Sequence, residues 1–489
     1  MNEWLQIVKW LIMCLILAAL MRPYLRVRNL HFADGGFAVS LGLGIALSFF
    51  ISWILSAVTG ISFDARWVIV PVLLGLGAFA FRLYRMRGEQ KNGPGRYLAS
   101  FVPRGQELKR FLLGFAFFAA LFLLTVWVRG FKPQVECTTE QYMDFGFVEA
   151  IYRQKAAVPE DIWFSGHPLN YYYLGQACTA YLCRLSGVIP DYAYTFMLSL
   201  VFALTNCMVF TSVQAFLMHL FEKRATANGN GRFASLTGAV ISMLASCFSG
   251  NGHYLLHGIF LPFLGKITGL DLNYRPEGYF FPDSTTYVGY WPETLDKGKT
   301  EFLAYSVILG DLHAHYVNQI FVLPLLILAL DYALDEEKVP FPKRILDARY
   351  FLIAGLLGLF SGSNYWDFPI YYVVCGALIL FHDLVLYAPP RAFESRMDRD
   401  EMQNGSIRIS RITARKDTGD PLHLSIRRVI AEVLLKGVLI FVIAKILALP
   451  FSTHFVKMAS EICLCDNHTP FYKLIVLWGA PVTIAAGLF

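Results

Sequence analysis

Residues 111–128 read FLLGFAFFAALFLLTVWV, a run of 18 residues without a charged side chain. A helix that crosses the hydrocarbon core of a bilayer needs about 20 such residues, because each residue advances the helix by about 1.5 Å. The whole chain has the same character, since 56% of its 489 residues are hydrophobic, 16% are charged and the mean hydropathy is +0.48. Soluble domains average about 25% charged residues. The composition therefore excludes a soluble globular enzyme and predicts a membrane protein.

Similar apolar windows recur along the chain and predict an all-α fold, a polytopic transmembrane helix bundle of about 11 spans. The predicted helices cover residues 4–21, 35–58, 67–81, 111–128, 192–217, 233–249, 316–333, 350–362, 368–388, 429–450 and 472–489. The first helix has no small-residue cleavage site and is followed by three arginines, which indicates an uncleaved span and not a signal peptide. The last apolar run continues to Phe489, which suggests a fragment of a longer protein.

Lysine and arginine are distributed unevenly between the connecting segments. If successive helices alternate in direction, one set of connectors carries 27 of these residues, and the other set, although somewhat longer, carries 11. By the positive-inside rule the first set is cytoplasmic. The net charge of +6 then reflects the topology of a plasma-membrane protein and not nucleic-acid binding. We divide the chain into N-terminal helices with a basic cytoplasmic loop (1–109), a core membrane domain with the outer-loop motifs (110–390), a cytoplasmic loop (391–428) and C-terminal helices (429–489).

Residues with chemical potential concentrate in the outer segments, which hold seven of the 11 histidines. Two of these segments, residues 129–190 and 250–301, are too long to be simple connectors. We expect both to contain short helices. Long loops on a rigid scaffold are where binding and catalytic sites are commonly built, so the site is expected on the non-cytoplasmic side.

The first outer motif, EQYMDFGFVEAIYR, has helical spacing in its polar residues. Glu140 and Asp144 are four residues apart, as are Glu149 and Arg153, so each pair can share a helix face. Asp144 lies among a methionine and two phenylalanines, surroundings that can raise its proton affinity. Asp144 is therefore a candidate general base or metal ligand, with Glu149 as a rival base. A carboxylate at the wet edge of an interfacial helix is the simpler interpretation.

The second motif, residues 159–175, reads PEDIWFSGHPLNYYYLG, in which proline and glycine indicate a loop leading into a short helix. Three consecutive tyrosines can stack on a sugar ring or a lipid headgroup, with their hydroxyl groups as donors. They also suit the aromatic belt found at membrane surfaces. The candidate substrate-binding residues of this motif are His167, Asn170, Tyr171, Tyr172 and Tyr173.

The third motif, ILGDLHAH, ends the second outer segment at residues 308–315. In an extended backbone Asp311, His313 and His315 project to one side, and in a helix Asp311 and His315 share a face. Either conformation can place a carboxylate and an imidazole on one ion, and an oxygen-rich mixed site suits Mg²⁺ or Mn²⁺. The same groups can instead cap the helix predicted to start near residue 316.

The fourth motif, SNYWDFP at residues 363–369, interrupts two apolar runs. A break that carries a carboxylate at membrane depth must face protein or water and not lipid. Tyr365, Trp366 and Asp367 are therefore candidate substrate-binding residues. A tight outer turn with an aromatic anchor is the alternative.

Together, GHPLNYYYLGQ (166–176), ILGDLHAH (308–315) and SNYWDFP (363–369) resemble the polytopic membrane proteins named after a YYY motif, a family of uncharacterised function. That family is similar in layout to the GT-C glycosyltransferases, which take a sugar from a polyprenyl-phosphate carrier on the non-cytoplasmic face. The resemblance implies a GT-C-like fold with an acidic catalytic residue in an outer loop, where Asp144 lies. Here the acid has no acidic neighbour, and its loop follows the fourth predicted helix instead of the first, so residues 1–81 look like an addition to the shared core.

The function expected from these residues and the resemblance is transfer of a polyprenyl-phosphate-linked sugar to an acceptor that the sequence does not name. Asp144 would take the proton of the acceptor, and a divalent cation, Mg²⁺ or Mn²⁺, would lie on Asp311, His313 and His315. The expected partners are membrane lipid and the lipid-linked sugar. The alternatives are a transporter or flippase of a lipid-linked or polar substrate, a metal-dependent hydrolase of lipid-linked phosphate esters, and an inactive scaffold. The charged residues predicted inside spans, Lys9, Lys436 and Lys445, are too few to favour an ion-coupled carrier.

Overall fold

The architecture comes from a computed structural model of the chain. It describes residues 2–22, 25, 27, 29–64, 70–73, 75–77, 105–135, 140–223, 230–248, 250–272, 275, 278–285, 287–291, 293–388, 424–457, 464 and 466–486. Within these residues the regular structure is helical, with two isolated β-bridges and no strand, as the sequence predicted. Most of the predicted span 67–81 and all but the last five residues of the predicted loop 391–428 lie outside the described residues.

Fourteen α-helices follow one another along the described part of the chain. They are α1 (Glu3–Met21), α2 (Phe37–Thr59), α3 (Gln106–Arg129), α4 (Gln141–Gln154), α5 (Leu174–Ser186), α6 (Pro190–Lys223), α7 (Asn230–Phe248), α8 (Leu261–Thr268), α9 (Leu303–Leu309), α10 (Ala314–Ala333), α11 (Ala348–Ser363), α12 (Asp367–Tyr387), α13 (Ile426–Ser452) and α14 (Phe471–Ala486). A π-helical segment, Tyr254–Phe260, runs directly into α8, and a single 3₁₀ turn covers Phe281–Ser284. The two long outer segments contain short helices, as expected.

Seven of the described helices are long and apolar enough to cross a membrane, by length and composition: α1, α2, α3, α6, α10, α12 and α13. The prediction of about 11 spans also counted α7, α11 and α14, which hold 19, 16 and 16 residues. The apolar stretch within α7 covers 17 described residues, 231–247. These helices fall at or below the length at which a straight helix spans about 30 Å of hydrocarbon.

The bundle has a buried centre and an apolar periphery. Helices α2, α6 and α10 are mostly enclosed by other helices, whereas α3, α12 and α13 leave most of their apolar surface uncovered, as expected for faces that meet lipid. Close packing at the centre depends on small residues. An added Cβ at Gly42 of α2 would lie 3.0 Å from the carbonyl oxygen of Ile320 in α10, and one at Gly44 would lie 2.9 Å from that of Leu17 in α1.

The two ends of α10 carry different polar structures. The third motif lies at its N-terminal end, while its C-terminal end belongs to a buried ionic network with the start of α11, the end of α12 and the first half of α13. Because α10 has 20 residues, the two structures lie about 30 Å apart along the helix axis. We call these the motif end and the network end of the bundle. The positive-inside rule predicts that the network end is cytoplasmic.

Candidate functional site

Three separate stretches of chain meet at the motif end and form one cluster of acidic and imidazole groups. Asp144 comes from the first turn of α4, and Glu301 lies just before α9. The turn between α9 and α10 adds Asp311 and His313, and His315 follows in the first turn of α10. Two groups of side chains within this cluster have ligand atoms that all lie within 4.8 Å of one another, namely Asp144, Asp311 and His313, and Glu301, His313 and His315.

The three residues expected from the sequence to bind a cation, Asp311, His313 and His315, are therefore divided between the two groups. His313 belongs to both, Asp311 belongs with Asp144, and His315 belongs with Glu301. The predicted alternative, that the third motif caps the following helix, is met only in part. His313 occupies the N-cap position of α10, but its side chain makes no capping hydrogen bond there.

Asp144 and Asp311 form a buried pair of carboxyl groups, with 1% and 5% of their surfaces exposed. Burial and the neighbouring Asp311 carboxylate together raise the pKa of Asp144 well above its ordinary value. Burial also raises the pKa of Asp311, while the charge of His313 acts in the opposite direction. The amide of Gln176 at the start of α5 donates a hydrogen bond of 2.7 Å to Asp144 Oδ1. The apolar neighbours of Asp144 in the sequence indicated surroundings that exclude water. In the structure Asp144 is buried, and a second acid, Asp311, lies beside it.

The imidazoles of His313 and His315 lie side by side, with ring centroids 5.0 Å apart. Nε2 of His315 is 3.3 Å from a carboxylate oxygen of Glu301. Nδ1 of His313 is 3.2 Å from a carboxylate oxygen of Glu140 and 3.9 Å from one of Asp311. The cluster consequently holds four carboxylates around two imidazoles, a donor set that can hold a divalent cation.

The turn that carries Asp311 is held from several sides. Gly310 adopts a left-handed backbone conformation with φ of +79°. The hydroxyl of Tyr194 donates to the carbonyl oxygen of Gly310 at 3.1 Å and accepts from the amide of Leu312 at 3.3 Å, so it braces the peptide groups on either side of Asp311. A guanidinium nitrogen of Arg129 donates to the carbonyl oxygen of Ile308 at 3.2 Å. These contacts fix the direction of the Asp311 side chain.

We expect Gly310→Ala to lower the apparent Tm of the purified protein more than Gly269→Ala does. Both glycines have positive φ, so both variants carry the cost of about 1–2 kcal/mol of placing an L-residue there. An added Cβ at Gly269 meets open space, whereas one at Gly310 would overlap the buried guanidinium of Arg129. Thermal unfolding in detergent measures the difference. Equal shifts for the two variants would show that this close approach is unimportant.

The three consecutive tyrosines have separate environments. Tyr171 and Tyr172 are half-buried with ring centroids 4.1 Å apart, and Tyr171 also contacts Phe147 of α4. Burial raises the pKa of Tyr171, and the neighbouring Tyr172 and then the carboxylates of Glu140 and Asp144 raise it further. Tyr173 is buried and donates to the carbonyl oxygen of Ala157 at 3.0 Å, so its hydroxyl serves the packing of the loop.

The other candidates of the first two motifs lie outside the acidic cluster. Glu149 pairs with Arg153 at 2.6 Å across one helical turn, as the spacing predicted, and the guanidinium is largely exposed. His167 is exposed and stacks on Phe164 at a centroid distance of 4.4 Å. Asn170 exchanges two hydrogen bonds with the backbone of Val456, which ties the tyrosine loop to the segment after α13.

The fourth motif forms the corner between α11 and α12. Asp367 begins α12 and accepts a hydrogen bond of 2.5 Å from Asn318 of α10, one helical turn beyond His315. Asp367 is therefore joined to α10 one helical turn from the cluster residue His315. Tyr365 is partly buried, whereas Trp366 is 70% exposed and its ring lies edge-on to that of Tyr365.

Several site residues were not among the candidates drawn from the sequence. They are Glu140, Glu301, Gln176, Tyr194 and Arg129. Glu140 and Gln176 are part of the motifs already quoted, and the four-residue spacing from Glu140 to Asp144 was a usable signal. Glu301, Tyr194 and Arg129 have no local signal, because each is far in sequence from its partner or lies at the end of an apolar helix.

Comparison with known proteins identifies a family but no function. A family model described as "Uncharacterized membrane protein (DUF2298)" matches residues 47–489. No curated protein and no solved structure matches the chain. The matched region contains every residue of the acidic cluster.

Proposed function

The chain belongs to this family of uncharacterized membrane proteins, and on that premise we propose that it is a glycosyltransferase of the GT-C type. In this proposal the enzyme takes a sugar from a polyprenyl-phosphate carrier and transfers it to an acceptor hydroxyl on the non-cytoplasmic face. The ILGDLHAH motif, one of those on which the resemblance to YYY-motif proteins rests, supplies Asp311, His313 and His315 to the cluster. The distribution of lysine and arginine supports the sidedness.

The observation that carries the proposal is the buried pair Asp144 and Asp311, with the half-buried Tyr171 packed on Phe147 one helical turn along α4 from Asp144. A carboxylate shielded from water binds a proton more strongly than an exposed one, which suits a general base. The ring of Tyr171 provides a surface on which a sugar ring can stack. Base and aromatic surface lie at the end of a membrane bundle, where a lipid-linked substrate would present its headgroup.

In the proposed step the acceptor oxygen forms a bond to the anomeric carbon of the sugar. The bond between that carbon and the phosphate oxygen of the carrier breaks, and its electron pair leaves with polyprenyl phosphate. The proton of the acceptor hydroxyl passes to the carboxylate of Asp144, which Gln176 holds through its 2.7 Å hydrogen bond. Phosphate is a good leaving group and needs no proton from the enzyme, but its negative charge needs a positive partner.

The residues fit a divalent cation as that partner. Buried oxygen and nitrogen atoms of Asp311, His313 and His315 have no hydrogen-bond partner within the described structure, which leaves their lone pairs available. A Mg²⁺ or Mn²⁺ ion held by either of the two groups that share His313 would supply charge stabilisation for the departing phosphate. Tyr171 and Tyr172 would contact the sugar, and Asp367 would accept a hydrogen bond from one of its hydroxyl groups.

A turnover assay on the protein in lipid nanodiscs tests the proposal. Undecaprenyl-phosphate and dolichyl-phosphate sugars labelled in the sugar are supplied with a panel of short alkyl glycosides and with Mn²⁺ or Mg²⁺. Transfer of label to a glycoside supports the transferase. Release of free sugar with no acceptor requirement would instead show a hydrolase, because water can replace the acceptor in the same step. No turnover by folded protein, combined with movement of intact carrier between leaflets, would show a flippase.

A further inference from the structure

From the geometry of the cluster we infer that Glu301, His313 and His315 form a binding site for one first-row transition-metal ion of the Zn²⁺ and Mn²⁺ class. The inference rests on the proposed function only in that this ion would be the cation of the transferase; binding itself is measured without turnover. It changes the expected ligand set, since Glu301 takes the place of Asp311. It leaves the Asp144–Asp311 pair free for proton transfer.

The spacing of the three groups suits a small metal ion. Zinc binds nitrogen and oxygen ligands at about 2.0–2.1 Å, which places two ligands of a tetrahedral site about 3.4 Å apart. Nε2 of His315 and Oε2 of Glu301 are 3.3 Å apart. A nitrogen of His313 lies within 4.8 Å of both, so the third donor is near the other two.

The atoms that face one another are buried and unsatisfied. Oε2 of Glu301, Nδ1 of His313 and Nε2 of His315 are each shielded from solvent and have no hydrogen-bond partner of acceptable geometry. Buried polar atoms are nearly always paired, so three such atoms in one cluster require an explanation. A cation bound between Glu301, His313 and His315 provides one.

The backbone places both imidazoles on the same side without strain. His313 is extended, with φ of −66° and ψ of 152°, and is the last residue before α10. His315 lies in the first helical turn, so the change from extended to helical backbone brings the two rings to a centroid distance of 5.0 Å. The sequence His-Ala-His at the start of a helix therefore supplies two nitrogen ligands, and Glu301 supplies an oxygen ligand.

The donor types favour a transition metal over Mg²⁺. Two imidazoles with one carboxylate are characteristic of zinc and of other first-row ions, whereas Mg²⁺ prefers oxygen ligands and retains several waters. The surroundings are negative, since Glu140 and Asp311 flank His313. Two positive charges act on Glu301, that of His313 and, more weakly, that of Lys299. Lys299 is exposed and can turn to solvent when a metal ion binds.

Metal binding by the intact purified protein tests the inference. The protein in detergent is stripped with a chelator, and Zn²⁺ affinity is measured by competition with a chromophoric chelator. We expect one Zn²⁺ per chain, and we expect Glu301→Gln and His315→Gln each to weaken binding at least tenfold. Glu293→Gln, which alters an exposed carboxylate of the same outer segment paired with Lys297, is the matched control and should bind as the wild type does.

The variant that decides between the two groups is Asp144→Asn, which removes a carboxylate from the Asp144–Asp311–His313 group only. We expect it to bind Zn²⁺ within about threefold of wild type, and we expect Co²⁺ to give the intense visible bands of a four- or five-coordinate site. Loss of binding in Asp144→Asn with retention in His315→Gln would assign the metal to the acid pair and overturn the inference. Absence of binding to folded wild type would also overturn it. Binding without sugar transfer would contradict the proposed function but leave the metal site in place.

Discussion

Asp144→Asn is expected to lower the rate of sugar transfer by about 10²–10⁴-fold, the range that general-base catalysis contributes. The amide cannot accept the proton of the acceptor hydroxyl. The change preserves shape, and the new side chain keeps the oxygen that accepts the 2.7 Å hydrogen bond from Gln176. Its amide nitrogen can donate to Asp311, so we expect the variant to fold. Turnover of labelled carrier in nanodiscs measures the rate, and size-exclusion chromatography checks the fold.

Glu149→Gln is the matched control for this prediction. Glu149 lies on the same helix as Asp144 and was its rival as catalytic base, but in the structure it pairs with the exposed Arg153. We expect this variant to retain transfer within a factor of two or three. A large loss in Glu149→Gln together with normal transfer by Asp144→Asn would reverse the assignment of the base. Normal transfer by both would remove the carboxylates of α4 from the reaction.

The helices could be predicted from the sequence because burial in lipid or in a helical bundle requires apolar side chains along a whole segment. The apolar run at residues 111–128 became α3, and the polar spacing from Glu149 to Arg153 became a salt bridge within α4. Both signals are local, since each depends on residues no further apart than one helix. The number of spans was harder to predict, because α11 is apolar but only 16 residues long.

Only part of the cluster could be predicted from the sequence, because its members come from distant parts of the chain. The sequence placed Asp311, His313 and His315 together because they are alternate residues. It could not show that the turn after Gly310 sends Asp311 toward Asp144 and His315 toward Glu301. The tyrosine triplet divides in the same way, since Tyr171 packs on Phe147 of α4 while Tyr173 is buried and bonds to Ala157 of the loop. Adjacent residues share a motif but not an environment.

The network end illustrates the same limit for charged residues inside the bundle. Sequence reading counted Lys436 as an isolated charge in a predicted span, although it has no exposed surface and lies 2.5 Å from Asp383 of α12. The hydroxyl of Tyr332 donates to Asp383 at 2.8 Å and accepts from Lys436 at 3.1 Å. His382 Nδ1 lies 2.9 Å from the same carboxylate. Asp383 and Lys436 are 53 positions apart in the sequence, so no local pattern reveals this pair.

Asp383→Asn is therefore expected to destabilise the protein by about 3–5 kcal/mol, the usual cost of removing one partner of a buried ion pair. The variant leaves the ammonium of Lys436 enclosed in the bundle with the hydroxyl of Tyr332 as its neighbour. We expect a clear fall in apparent Tm in detergent. Because the pair lies at the end of α10 opposite the acidic cluster, we expect Zn²⁺ binding by the folded variant to be unchanged.

The double variant Asp383→Asn with Lys436→Met decides whether the loss comes from an unpaired charge or from lost packing. Methionine is uncharged and close to lysine in length, so the double variant contains no buried ion and should regain most of the Tm lost by the single variant. Glu149→Gln breaks a pair whose arginine is largely exposed and should shift stability by less than about 1 kcal/mol. If the double variant is no more stable than Asp383→Asn, the carboxylate stabilises the protein through its contacts with His382 and Tyr332 and not through its pairing with Lys436. An unchanged Tm in the single variant would mean that the network end does not hold the bundle together.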